Sequence, residues 1–384
     1  MRARSREPGI RERRRDRREQ SLRTAVVHDW LNGMRGGEKV LEAMLPLLPD
    51  PTIFTLFHVP GAVSGSIEAH PIRTSYLNRL PFARTQYRQY LPFFPRAIEA
   101  FDLSGFDLVV SSSHCVAKSA IAPAGAPHLC YCHTPVRYAY EQFDAYFPEG
   151  RTRFRALKKA AIDRLRRFDI ATADRPTRYL ANSSAVAKRI RDHYGRESTV
   201  CHPSADVSFF SPGSAPRERF LLAVGALVAY KKLEDAIEAA RIEHRPLKIV
   251  GRGPEEKRLR ALAGSFVTFL VDQSPEQLRE LYRTCSAFVQ PGEEDFGIAA
   301  VEALACGAPV VALARGGVLD IVESGRHGVL YEEAGPAALA AALRRAESIR
   351  FDYNDLRASA LRFTPERFRQ QFQQCVSETI EQLR

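Results

Sequence analysis

Two glutamates, Glu294 and Glu302, stand eight positions apart in the run Gln290-Pro-Gly-Glu-Glu-Asp-Phe-Gly-Ile-Ala-Ala-Val-Glu-Ala-Leu-Ala-Cys-Gly-Ala-Pro-Val-Val. The spacing predicts a strand ending at Gln290, a loop carrying Glu294, and a helix opened by Gly297 and closed at Gly307 before Pro309 starts the next strand. A helix start offers free N–H groups and a partial positive charge, which suits a diphosphate. Glu294, ahead of that start, can accept hydrogen bonds from hydroxyls on one side of the anion. Glu302, over a turn into the helix, can accept them on the other. A ligand shaped sugar–diphosphate–ribose fits this arrangement. Two bare glutamates would suit a solvated helix start equally well; the flanking glycines, proline and strand favour a binding site.

Other residues could join this chemistry. Lys231 follows a strand and a turn, where an ammonium can neutralise a diphosphate leaving group. The pair Gly36-Gly37, read as a turn before a helix from about Glu38, lets backbone approach a phosphate or an acceptor closely. It lacks the full dinucleotide fingerprint, and no P-loop motif occurs. His133 ends a strand that faces the expected cleft, a position that a backbone-bonded structural histidine would also suit. Cys130-Tyr131-Cys132-His133 contains metal-ligating types, but strand neighbours alternate faces and no second ligand cluster lies nearby, so zinc is not expected. No Asp-x-Asp metal site stands at a strand end.

The elements that must position these residues form two series of alternating strands and helices, which predicts parallel sheets. The first series has strands at 24–28, 52–56, 107–111, 128–131, 178–181 and 199–202, with a basic helix over 151–168. The second has strands at 220–224, 247–250, 267–271, 287–290 and 309–313, with helices at about 232–240, 254–262, 275–282 and 297–305. We expect an N-terminal domain over 24–203, a linker over 204–216, and a C-terminal domain over 217–363. A last helix over 364–384 has Thr364 as its cap and Pro365 at its first position. Its stripe of Phe368, Phe372, Val376, Ile380 and Leu383 must be buried, against the other domain or a partner subunit. Two such α/β domains leave a cleft at the carboxyl ends of their strands.

The run from Gln290 to Val311 resembles the signature of glycosyltransferase family 4, retaining enzymes of the GT-B fold. The resemblance continues through Gly316-Gly317-Val318-Leu319-Asp320 and Gly325–Leu330, and reaches back to Gly251-Arg-Gly-Pro-Glu-Glu and Val224-Gly-Ala-Leu-Val-Ala-Tyr-Lys-Lys. In the N-terminal half, Ser112-Ser113-His114, Ala117-Lys118, Cys130–Tyr138 and Ala181-Asn-Ser-Ser are similar to bacterial transferases that build surface polysaccharides, mannosyltransferases among them. The resemblance implies catalytic roles for His133, Glu294 and Lys231. It implies a donor-binding set of Glu302, Gly297, Phe296, Ile298, Gly36, Gly37 and Arg252. Ala226 stands where many family members carry arginine; Lys232 and Arg252 are the nearby cations that could replace it. The implied donor is GDP-mannose, with a UDP-sugar as the alternative and a glycan or lipid-linked molecule as acceptor. No metal and no other cofactor is expected. A nucleotide-sugar hydrolase or epimerase of the same fold is a rival reading.

Composition bounds these readings. The chain has 384 residues and is 45% apolar and 26% charged, enough for two domains that each bury a core. No apolar run is long enough to span a membrane, and none follows the arginine-rich start as a secretory signal would require. Seven scattered cysteines do not form a disulfide framework, which suits a reducing cytoplasm. Residues 1–23 hold ten arginines against four acids and carry +6 of the net +11. We expect a disordered basic arm or an upstream start codon there, ahead of an anionic-membrane or nucleic-acid arm; no nucleic-acid partner is expected. The aromatic and basic segment Leu77–Phe101, with Tyr87, Arg88, Tyr90, Phe93, Phe94 and Arg96, suits either peripheral contact with a membrane or a core-facing helical connection.

Overall fold

The computed structural model describes residues 22–147, 150 and 154–381. All but two residues of the basic arm therefore lie outside the described part, as does Leu383 of the final stripe. The rest forms two parallel sheets. Strands β1 (Thr24–Leu31), β2 (Pro51–His58), β3 (Ile72–Thr74), β4 (Leu108–Ser113), β5 (His128–Cys132), β6 (Arg178–Ala181) and β7 (Ser198–Val200) make the first, in the order 3-2-1-4-5-6-7. Strands β8 (Leu221–Val224), β9 (Leu247–Val250), β10 (Val267–Leu270), β11 (Ala287–Gln290), β12 (Val310–Leu313) and β13 (Gly328–Tyr331) make the second, in the order 10-9-8-11-12-13. Both sheets are doubly wound: strand order reverses between β1 and β4, and again between β8 and β11. The crevice at such a reversal is where ligands bind in open α/β sheets.

The strands form where short β-branched and apolar runs can be covered on both faces. Every residue of β1 is buried, including His28 and Asp29. The helices that matter to the site are α1 (Gly36–Met44), α2 (Arg155–Ala171), α3 (Ser184–Tyr194), α4 (Leu233–Ile242), α5 (Pro275–Thr284), α6 (Ile298–Ala305) and α7 (Pro365–Glu381). Thr364 Oγ1 accepts from Arg367 N at 3.2 Å, capping α7 as expected. Phe368, Phe372, Val376 and Ile380 are buried with Val26, Leu41, Ile53 and Tyr131, so the last helix returns to the N-terminal domain. Each such side chain contributes about 1.5–3 kcal/mol relative to exposure, enough to tie the chain's end to its beginning.

Several boundaries differ from expectation for local reasons. Helix α1 begins at Gly36, not Glu38, so both glycines belong to its first turn. The basic helix is displaced to 155–171. Residues 77–101 form a succession of short helical turns, with Pro95 in the first turn of the last of them. Tyr87 and Phe94 face the core there, with Tyr87 packed on Trp30 and Phe57, while Phe82 and Phe93 are exposed. The segment read as linker is packed: Ala205, Val207 and Phe210 join the C-terminal core, and Ala205 N bonds Phe363 O at 3.0 Å.

Candidate active site

On the C-terminal side, Lys231 lies in the turn between β8 and α4, and Glu294 in the loop between β11 and α6. Lys231 Nζ is 3.0 Å from Glu294 Oε1, with both side chains largely buried. The loop carrying Glu294 is fixed by Gly316 and Gly317. Gly317 N donates to Glu294 O at 2.9 Å, and a Cβ at Gly316 would lie 2.1 Å from that oxygen, where φ is already +79°. Only glycine permits that approach. Gly297 caps α6 at φ +105°. One turn on, Glu302 is buried, accepts from the Tyr282 hydroxyl at 2.9 Å, and faces Lys39 Nζ at 4.0 Å. Burial pushes the Glu302 carboxyl above its usual range, against the pull of Lys39 and Tyr282.

On the N-terminal side the groups are mostly uncharged and hydrogen-bonded. His133, just after β5, places Nε2 2.8 Å from Ser112 Oγ on β4, and Ser112 Oγ lies 3.1 Å from His28 Nδ1 on β1. His28 Nε2 faces the Glu38 carboxylate of α1 at 3.7 Å. Burial, reinforced by His114 and His28, holds the His133 imidazole well below its usual range, so it is neutral near pH 7. Burial alone would raise Glu38, but contact with His28 and the nearby His114 outweigh it and keep the carboxyl low. Asp29 organises the floor: its two oxygens accept from the backbone N–H groups of His114, Cys115, Val116 and Ala117 at 2.7–2.9 Å.

The two halves meet at their strand ends. A Cβ at Gly36 would lie 3.7 Å from Ile298 Cδ1 across the cleft, and one at Gly37 3.8 Å from His133 Nε2. These are ordinary contacts, so the fold itself does not demand glycine at either position. Two helix starts, α1 and α6, thus converge beside Lys231, Glu294 and His133. Arg137 reaches across to Asp295, Nε to Oδ1 2.9 Å, and lies over Tyr230. Arg189 of α3 pairs with Glu293 and Asp295, and Ser184 N donates to Asp320 Oδ2 at 2.7 Å.

Of the sequence-derived site residues, His133, Lys231, Glu294, Glu302, Gly297, Ile298, Gly36 and Gly37 border one cleft. Two make other contacts. Arg252 is engaged by Asp272, Nε to Oδ1 2.9 Å, because oppositely charged exposed loops after β9 and β10 pair with each other. No contact links it to Lys231 or Glu294 among the described residues. Phe296 is buried between His202 and Phe363, at 5.5 and 5.3 Å between ring centroids, so its side chain anchors the loop instead of lining the cleft. Lys39, Tyr282, Arg137 and Arg189 went unread. Arg137 at least lies inside the quoted Cys130–Tyr138 run; Tyr282 and Arg189 carry no local signal. All seven cysteines are free and buried. Among the described residues no group of three or more His, Cys, Asp or Glu could hold a metal ion.

Residues 204–362 match the family model described as glycosyl transferases group 1, and residues 51–209 match Glycosyltransferase Family 4. D-inositol 3-phosphate glycosyltransferases are similar: that of Acidothermus cellulolyticus is 33% identical over 209 residues, and that of Geodermatophilus obscurus 36% over 208. Each alignment covers 46% of this chain and 46% of the relative, so the chain matches under half the length of these curated proteins. Among solved structures, sucrose-phosphate synthase from Thermosynechococcus elongatus superimposes with a TM-score of 0.71 at 18% identity, covering 93% of this chain and 98% of that one. HepE from Anabaena in complex with UDP-glucose gives 0.66 at 18%, covering 92% and 99%. The fold is therefore GT-B. The two glycosyltransferase models lie end to end over residues 51–362, one on the domain of each sheet.

Proposed function

We propose that the protein transfers a hexose from a nucleoside diphosphate sugar to an acceptor hydroxyl, with retention at the anomeric carbon. One observation carries this reading: two helix starts from different domains converge on a cleft whose rim holds Lys231 with Glu294 on one side and buried Glu302 on the other. The diphosphate sits at the helix starts, Glu302 accepts from the ribose, and Glu294 and His133 orient the sugar. In same-face attack the bond from the anomeric carbon to phosphate oxygen breaks as the bond to the acceptor oxygen forms. The acceptor proton passes to the departing phosphate, whose charge Lys231 and the helix start stabilise. Gly36 and Gly37 leave the first N–H groups of α1 uncovered for the same anion.

The donor we favour is GDP-mannose, on the N-terminal motifs shared with polysaccharide mannosyltransferases. A UDP-sugar is the second reading, favoured by the UDP-glucose in the complex of the Anabaena protein. The acceptor we propose is a glycan or lipid-linked molecule of surface polysaccharide. Exposed Phe82 beside Arg79 and Arg84, together with exposed Phe93, favours an acceptor met at an anionic membrane surface. Among the described residues no helix is long and apolar enough to cross a membrane. A nucleotide-sugar panel incubated with candidate acceptors tests the proposal. Nucleoside diphosphate release that requires an acceptor and gives a product of unchanged anomeric configuration is expected. Acceptor-independent release of free sugar would indicate a hydrolase instead.

A further inference from the structure

The mechanism above uses His133 but not the residues behind it. His28, Glu38 and Ser112 are buried polar groups on three different elements, and they form one line from a carboxylate to the cleft. The bonding order follows from elementary electrostatics. Glu38 also accepts from Arg35 N at 3.0 Å, which fixes its carboxylate at the start of α1. His28 Nε2 is buried and has no hydrogen-bond partner, and the Glu38 oxygen 3.7 Å away faces it. A bare ring nitrogen opposite a carboxylate would set two lone pairs against each other, so the proton belongs on Nε2. In the neutral ring His28 Nδ1 is then an acceptor, and the Ser112 hydroxyl donates to it. Ser112 Oγ in turn accepts from His133 Nε2–H, which leaves His133 Nδ1 without a proton.

We infer that Glu38, His28 and Ser112 are positioning residues that hold His133 as its Nε2–H tautomer, so that Nδ1 accepts a hydrogen bond from a hydroxyl of the transferred sugar. The depressed affinity of His133 for protons agrees with a neutral ring. His133 therefore reads a sugar hydroxyl and is not a cation for the diphosphate, which remains with Lys231 and the helix starts. The sugar assignment rests on the proposed glycosyl transfer; the tautomer does not.

The test is nitrogen-15 NMR of the full chain with labelled histidine, the His133 signals being assigned by their loss in His133→Ala. The expected spectrum near pH 7 shows Nδ1 at the position of an unprotonated ring nitrogen and Nε2 at that of a protonated one. Ser112→Ala and Glu38→Gln, the latter still able to cap α1, should each shift the His133 signals toward a tautomer mixture. Both should lower kcat on the order of 10-fold with nucleoside diphosphate affinity kept, the usual scale for a supporting hydrogen bond. A protonated Nδ1 in the wild type, or His133 signals unmoved in both variants, would overturn the relay. The predicted spectrum from a protein that turns over no nucleotide sugar would leave the relay standing and reject the transfer reading alone.

Discussion

The C-terminal rim of the cleft draws Lys231, Glu294 and Glu302 from two stretches of chain, whereas the N-terminal rim draws His28 with Glu38, Ser112 and His133 from three. The first rim is charged, with Lys231 and Glu294 on loops and paired across 3.0 Å and Glu302 on α6. The second is buried, and its imidazole at the cleft is neutral, held by bonds between strands. The contrast suggests a division of labour. Charges that must meet and release a diphosphate need little support beyond a rigid loop. A neutral ring that must present one nitrogen in one protonation state needs a chain of partners to fix it.

The largest effect should come from the charged rim. Glu294→Ala should reduce turnover on the order of 10²–10³-fold, the scale of losing a preorganised electrostatic contact, while the far-UV spectrum and unfolding midpoint stay near wild type. Near-normal turnover in that variant would remove Glu294 from the site.

Glu302 sharpens the comparison because it is charged yet buried. Its carboxyl binds a proton more tightly in the folded chain than in the unfolded one. Its contribution to stability is therefore fully present below the ordinary carboxyl value and lost as pH rises through the raised folded value. Glu302→Gln should flatten that fall in an unfolding series across pH. It should also weaken nucleoside diphosphate binding by about 10-fold, since a charged acceptor is lost. An unchanged pH series would mean that Glu302 is not the buried acid described. The smallest effect belongs to Arg252→Ala. Its pair with Asp272 is exposed and screened by solvent, and the donor KM should change by less than about 2-fold. A larger rise would return Arg252 to the donor site.

Both sheets were legible in the sequence because their strands are short apolar runs separated by helical periods. β3, of three residues, and β13 were not, since neither makes a period long enough to read. The Glu294–Glu302 rim was legible because strand, loop, glycine and helix lie in one stretch. The neutral rim was legible only at His133. His28 looked like the end of a strand, and nothing local ties it to Ser112, 84 positions on. Its only trace is a His-Asp pair inside a strand otherwise apolar. The pairing of Arg252 was not legible because Asp272, its partner, lies 20 residues away on the next strand's loop. The Gly36-Gly37 pair was read as a turn, whereas it opens α1, because glycine rarely marks a helix start so plainly.

The measurement that bears most directly on this division is calorimetric binding of GDP and UDP to wild type, Glu302→Ala and His133→Ala, with turnover measured on the same samples. The account predicts that Glu302→Ala loses nucleotide affinity, and that His133→Ala keeps it while losing turnover. If His133→Ala abolished nucleotide binding, or if Glu302→Ala left it intact, the two rims would not divide the substrate as described.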